Sequence, residues 1–371
     1  MNYFSYLTEF QQKGIFHMPP QPFSKFSSKE VLSYSLGATL YMPATRTDIA
    51  DVILTNKYRE LVSMVICLED AIGDDEVEKG EKQLAEHLHH LSEAVNMMQC
   101  SQESLPLIFI RVRTPEQIRK LYQLVGSSIQ VITGFVFPKF TPMNARAYLA
   151  YTKQVATEAE TILYGMPVLE TEDVMYKERR LSTFEQLATC LQNDKDLILN
   201  IRLGATDFCG LYGIRRTAST TIYDISMMRD VISDIVNFFG RDYVVSGPVW
   251  EYFQSSNSLS LQTTLYEEGL KKETLLDLVN GLHGKTVIHP SQMRLVQALN
   301  VVSKEDYLDA LAILNKGSNE IGVIKSEYGN KMNEVKPHDK WAKKTILKSK
   351  IYGVFHENNS YEDLLAKEIY V

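Results

Sequence analysis

The chain has 371 residues, 44% of them hydrophobic and 23% charged, and a formal net charge of -7. That length holds one large α/β domain or two ordinary ones, and the acidic balance disfavours nucleic acid as the main partner. The opening stretch "MNYFSYLTEFQQKGIF" has no basic region leading into an apolar one, no later run is long enough to span a bilayer, and Cys67, Cys100, Cys190 and Cys209 form no CxxC pair. A cytoplasmic protein with reduced thiols, no membrane association and no zinc site is the expectation.

Residues 1–36, rich in Pro, Ser and Phe, read as an N-terminal extension. Short apolar runs then alternate with helical segments. The runs are "GATLYMP" (37–43), "SMVICLED" (63–70), "LPLIFIRV" (105–112), "ITGFVFPKF" (132–140), "ILYGMPVLE" (162–170), "LILNIRLGATD" (197–207), "YVVSGPVW" (243–250) and "GKTVIHP" (284–290). Their apolar residues are continuous rather than alternating, the pattern of strands buried on both faces. Between them, segments such as "NARAYLAYTKQVATEAE" and "DISMMRDVISDIVNFFGR" repeat apolar residues at three and four, as amphipathic helices do. The "HLHH" of residues 87–90 falls in one such segment, amid charge, and reads as a solvated helix face in preference to a metal site.

Strand–helix repeats of this number over about 250 residues describe a TIM barrel. The competing fold, a doubly wound sheet, carries a glycine-rich loop after its first strand, whereas "ATRTDIAD" here has no GxGxxG. The expectation is therefore an α/β protein: a (β/α)8 TIM barrel over residues 37–300, with residues 301–371 forming a C-terminal helical extension that serves as a lid or an oligomer arm.

Chemistry in such a barrel sits at the carboxyl ends of the strands. The second run ends in Glu69 and Asp70, the third in Arg111 and Arg113, the fourth in Lys139, the fifth in Glu170, the sixth in Asp207 and the eighth in His289. Neighbouring parallel strands lie about 4.8 Å apart, so Glu170 and Asp207 repel unless something intervenes. Two readings of this pair stand. Either a divalent cation such as Mg²⁺ lies between them, or Glu170 caps the next helix while Asp207 pairs with Arg202 or Arg215. Arg111, behind "LIFI", suits a dry site where a guanidinium holds a carboxylate or an enolate oxygen; the alternative is a structural pairing with Glu69 or Asp70. Lys139 suits substrate binding or, if desolvated, an imine-forming nucleophile. Arg46 in "PATRTDIAD" either braces its loop or meets an anionic group of the substrate. Glu172 and Asp173 follow Glu170 closely and fit the negative charge that a helix N-terminus favours.

The segments "LYMPATRTDIAD", "VICLEDAI", "IFIRV", "GFVFPKF", "PVLETEDV", "IRLGATDFCGLYG" and "GKTVIHPSQM" together resemble, in order, the HpcH/HpaI aldolase and citrate lyase β-subunit superfamily. In detail the chain is similar to the TIM-barrel C–C bond lyase branch associated with bacterial tellurite and stress-resistance genes. The resemblance implies Mg²⁺ held by Glu170 and Asp207, a substrate-binding and catalytic Arg111, and an Asp70 that stands behind the metal waters. It also implies a lyase of aldol or Claisen type, acting through a metal-stabilised enolate on a carboxylate or 2-oxo acid, in a homo-oligomer. The family's lid motif, "DGKM"-like in members that use acyl-CoA, here reads "YGNKM", with Asn330 in place of the acid; an amide is no general base or acid. Whether the substrate is a CoA thioester or a phosphorylated compound stays open. The basic stretch "MYKERR" suggests that Lys177, Arg179 or Arg180 bind phosphate with Arg215 and Arg216. The alternatives are a Schiff-base aldolase using Lys139 and a non-catalytic barrel subunit of a biosynthetic complex.

Overall fold

The computed structural model describes residues 1–253, 261–316 and 322–366. Its main unit, residues 24–293, is built on parallel strands β1 (Ala38–Pro43), β2 (Ser63–Cys67), β3 (Leu107–Arg111), β4 (Gly134–Phe137), β5 (Tyr164–Leu169), β6 (Arg202–Leu203) and β7 (Lys285–Val287). They pair in the order β6-β5-β4-β3-β2-β1-β7. Ser63 to Cys67 match Leu107 to Arg111 residue for residue, and Val168 stands opposite Arg202. Met64 to Ile66, Leu107 to Ile110 and Phe135 to Phe137 are all buried, which is why these strands read as unbroken apolar runs. Helices such as Val77–Asn96, Pro115–Val125 and Pro142–Glu158 follow the strands and cover them. This is the expected α/β barrel, curled until its edges approach.

The run 243–250 closes the barrel, though not as a regular strand. It makes two isolated parallel bridges, Ile201 to Val245 and Gly247 to Lys285. Pro248 has no N–H for a ladder, and Gly247 is fixed by packing, since a Cβ there would run into the carboxylate of Asp277.

His87 corrects the reading of "HLHH" as a solvated face. It is 3% exposed; its Nε2 lies 2.7 Å from the Arg46 carbonyl and its Nδ1 accepts from the Ala50 N–H at 3.4 Å. His87 thereby ties the helix Val77–Asn96 to the loop after β1. His89 and His90 are exposed.

The second unit joins residues 1–23 to residues 294–371, of which 294–316 and 322–366 are described. The helix Glu9–Ile15 opens with a capping box from Thr8 and Gln11. The strand Phe16–Met18 then pairs antiparallel with Val354–Phe355. The helices Lys304–Lys316 and Val335–Tyr352 pack together around Ala310, Ile313, Ile324, Val335 and Ala342. Between them, the hairpin Val323–Lys325 and Met332–Glu334 carries Asn330 in its turn, where the amide donates to Glu305 Oε1 at 2.9 Å.

At the amino end of β7, Lys285 is buried and pairs with Glu273 at 2.9 Å and Asp277 at 2.7 Å. Arg216 bonds the other oxygen of Glu273, and the Tyr223 hydroxyl donates to Asp277 at 2.7 Å. Two acids in the core are thus held by two cations. Lys285→Met should cost on the order of 3–5 kcal/mol, because it strands buried carboxylates. Thermal unfolding checks this; an unchanged melting temperature would show that the pairs carry no stability.

Candidate active site

The polar ends of the strands meet at one rim. Arg111 closes β3, and its side chain is 11% exposed. Its Nη2 lies 2.7 Å from Glu69 Oε2, 2.9 Å from Asp70 Oδ2 and 3.1 Å from Glu170 Oε1. One guanidinium therefore joins the ends of β2 and β5. The alternative that Arg111 pairs with Glu69 and Asp70 is realised, but the same side chain also holds Glu170, so the group is continuous with the rim rather than a separate brace.

Lys139 follows β4 in a left-handed conformation, φ 46°, which costs a non-glycine residue about 1–3 kcal/mol. That turn aims its backbone N–H at Glu170 Oε1, 2.7 Å away, and lets its Nζ bond Glu69 and approach Asp70 Oδ1 at 3.4 Å. Burial works against the Lys139 charge, yet its hydrogen bond to Glu69 and the charges of Glu69, Asp70 and Glu170 raise its pKa overall.

Glu170 and Asp207 face each other across Gly204. A Cβ on Gly204 would collide with Glu170 and come within 3.2 Å of Asp207 Oδ2. Gly204 is the N-cap of the short helix Ala205–Gly210, which places Asp207 in its first turn. Burial pushes the Glu170 carboxyl up to about 8; Arg111 pulls against this and Asp207 adds to it. Asp207 is likewise raised, first by burial and then by the charge of Asp70. Burial also acts to raise Asp70, but bonding with Glu69 and the Arg111 and Lys139 charges bring it below its ordinary value. Asp70, Arg111, Glu170 and Asp207 line a cavity of about 500 Å³ with Tyr41, Arg202 and Thr286.

The paired acids offer oxygen ligands only, the donor set of a hard divalent cation. Among the described residues no group of three or more His, Cys, Asp or Glu side chains converges as a ready cage, so an ion here would rest on two carboxylates and complete its shell with water and substrate oxygens. The glycine between them leaves the space such an ion needs. The competing expectation, Glu170 as a helix cap and Asp207 paired with Arg202 or Arg215, does not describe these side chains. Thr171 is the N-cap of Glu172–Met175, Arg202 bonds Thr286, and Arg215 is exposed.

Other expected residues lie elsewhere. Arg46 makes a two-pronged bond to Asp48, 2.8 Å on each arm, and is not among the described cavity-lining residues; of the two roles open to it, bracing its loop is the one seen. Local acids claim Lys177, Arg179, Arg180 and Arg216 of the expected phosphate-binding cluster, leaving exposed Arg215. Arg179 pairs with Asp173 at 3.0 Å, Arg180 with Asp230 at 2.9 Å and Asp234 at 2.6 Å, Lys177 with Asp230 at 3.5 Å, and Arg216 with Glu251 at 2.9 Å. Sequence reasoning named Glu69 only as a structural partner of Arg111 and did not foresee that its carboxylate binds Lys139 as well, nor Arg202 as a cavity residue. The signal for both was their place in or just after an apolar strand.

A parallel barrel with acids and a guanidinium gathered at the carboxyl ends of its strands has the architecture of a TIM-barrel enzyme site. The chain belongs to the family of C–C bond lyases of the TIM-barrel fold, which matches residues 30–354. Among solved structures it is similar to the protein CitE from Mycobacterium tuberculosis in complex with magnesium, acetoacetate and coenzyme A, with a TM-score of 0.55 and 16% identity, covering 85% of this chain and 99% of that one. The citrate lyase beta subunit complexed with oxaloacetate and magnesium from the same organism gives a TM-score of 0.47 and 16% identity over 71% of this chain and 96% of that one. RipC from Yersinia pestis gives 0.46 and 18%, over 71% and 94%. At these identities the likeness is one of fold. No curated protein matches the chain.

Gly204→Ala should press a methyl group into Glu170 and cost about 1–3 kcal/mol. A thermal melt equal to that of the unaltered protein would mean that the two carboxylates have room to separate.

Proposed function

We propose that the protein is a Mg²⁺-dependent lyase that breaks or forms a C–C bond beside a carbonyl, by an aldol or Claisen route, on a small carboxylate or 2-oxo acid. The charge balance of the rim carries this reading. When all four are ionised, Glu69, Asp70, Glu170 and Asp207 stand against Arg111 and Lys139 with an excess of two negative charges at a part-buried rim. A divalent cation neutralises that excess, and magnesium is present in the M. tuberculosis CitE complex.

Glu170 and Asp207 would hold the ion, which when bound supplies Lewis-acid stabilisation of negative charge at a substrate oxygen. The remaining work falls to the chain. Arg111, kept charged by the surrounding acids, offers N–H donors to a second substrate oxygen as charge grows there. Asp70 sits on the exposed side of Arg111, below its ordinary pKa and therefore ionised, where it can accept a proton from a carbon acid or an ordered water. Glu69 is bound by Arg111 and Lys139 and keeps both cations in place. The apolar walls from Val168, Leu203 and Ile288 limit water around the developing charge.

The imine route through Lys139 is not favoured by the same contacts. A Schiff-base lysine needs a free amine and a lowered pKa, whereas the Lys139 ammonium is clamped by Glu69 and its pKa is raised. Borohydride reduction in the presence of pyruvate should leave Lys139 unmodified; a trapped adduct there would replace the metal route with the imine route.

Glu170→Gln and Asp207→Asn should each abolish Mg²⁺ binding by calorimetry and C–C cleavage, with unfolding still cooperative. Retention of Mg²⁺ binding by either variant would remove that residue from the metal site. Because the Glu170 carboxyl is pushed up to about 8, protons compete with the cation below that pH. Mg²⁺ affinity should therefore rise steadily from about pH 6 to about pH 8 and then level off. An affinity flat across that window would show that Glu170 is already ionised.

A further inference from the structure

A buried cation of the barrel, Arg202, has no carboxylate partner among the described residues. Arg202, in β6, is 2% exposed and lines the cavity that contains Glu170 and Asp207. Its Nη2 donates to Thr286 Oγ1 at 2.6 Å. Its Nη1 meets only the Met166 thioether at 4.0 Å, and its Nε has no acceptor. The Tyr41 ring lies 5.6 Å from the guanidinium carbon. Among the described residues no carboxylate comes within ion-pair distance of it. Arg111, Arg180, Arg216 and Lys285 are treated differently: Arg111 meets three carboxylates and the other three meet two each. Buried Lys25 lacks a carboxylate as well, but its ammonium donates to the Gln130 and Ile132 carbonyls, whereas the Arg202 Nε has no acceptor among the described residues.

A guanidinium does not shed its proton to escape burial, and an unpaired buried charge is costly. A neutral side chain of similar volume would fill the same space without that cost. The charge is accounted for if its anion arrives with the ligand. The depth of Arg202 fixes where that anion lies. Val168 stands opposite Arg202 in the sheet register, so Glu170 and Gly204 are the next residues of those strands on the same face, ~6.6 Å further along by strand rise. Arg202 is therefore one side-chain layer below the rim, at the other end of a short ligand. A single guanidinium with one hydroxyl beside it matches a flat carboxylate; a phosphate group would call for more donors than these walls provide.

We propose that Arg202, with Thr286, binds the second carboxylate of a short-chain 2-oxo diacid and so sets the specificity of the site. This rests on the reading of the rim as the place where the 2-oxo acid end binds. Arg202 is a specificity-determining residue here; the reacting atoms lie above it.

The test is calorimetric binding of oxaloacetate, 2-oxoglutarate and pyruvate to the full chain with Mg²⁺ present, for the unaltered protein, Arg202→Met and Thr286→Val. The unaltered protein should bind a diacid more tightly than pyruvate by about ten- to hundredfold, the scale of hydrogen bonds to a charged group. Arg202→Met should erase that preference while leaving pyruvate affinity unchanged, and Thr286→Val should reduce it severalfold. Thr286→Val keeps the test open should the arginine variant fail to fold. If pyruvate and the diacids bind equally to the unaltered protein, or if all three weaken together in both variants, Arg202 is structural and the proposal fails while the lyase reading stands. If the unaltered protein binds Mg²⁺ but none of the three acids, the 2-oxo acid reading of the rim fails and takes this proposal with it.

Discussion

The arrangement of the rim depends on one guanidinium. Arg111 stands at the end of a strand buried on both faces and draws Glu69, Asp70 and Glu170 to a single point. These come from two other strand ends, so the positions of β2 and β5 relative to β3 are coupled to where the charge sits. Coulomb attraction at these distances is worth several kcal/mol at the effective dielectric of a protein surface, and more in a drier place. Desolvation consumes much of it, so the cluster is better seen as a device for geometry than as a source of stability. It holds carboxylates in positions that their mutual repulsion would not allow.

That repulsion is only partly relieved. With Lys139 added, the rim still carries more acid than base; Glu170 and Asp207 are raised first by burial, and neighbouring acids add to it. The backbone contributes as well. Lys139 adopts a left-handed conformation that a lysine rarely takes, and this brings an N–H onto Glu170. Gly204 contributes by lacking a side chain. Strain at Lys139 and the missing side chain at Gly204 both bear on the Glu170 carboxylate, the first by donating to it and the second by leaving room beside it.

Much of this was legible in the order of residues because parallel barrels turn sequence position into depth. A strand buried on both faces has a readable end, and the residue at that end faces the rim. Glu170, Asp207, Arg111, Asp70 and Lys139 could be named on that basis. Side-chain pairing across the surface was not legible. Arg180 lies fifty or so positions from Asp230 and Asp234, and only the docking of the helix Lys177–Gln192 near the helix Ser226–Phe239 makes them partners. His87 was misread, and the role of Arg46 left open, for the same reason. Asp48 is two residues from Arg46, but whether the pair closes depends on the loop that His87 pins. The seventh run hid its irregularity in Pro248, which has no N–H, and in Gly247, whose role depends on an acid thirty residues on, Asp277.

Two polar clusters inside one barrel show how differently charge can be used. At the amino end of β7, Lys285 and Arg216 are set against Glu273 and Asp277, and hydrogen bonds from Tyr223 and the Ile222 N–H complete the acids. Nothing is left over, and the end of the barrel where it lies is the one where polar residues ordinarily serve stability. At the carboxyl ends the balance is left open twice, by an excess of acid at Glu170 and Asp207 and by a lone guanidinium at Arg202. Opposite charges unsatisfied one layer apart would simply pair if the side chains could reach each other. Here they do not: the Arg202 guanidinium donates to Thr286 and lies against Tyr41, while Glu170 is held by Arg111 and the Lys139 N–H.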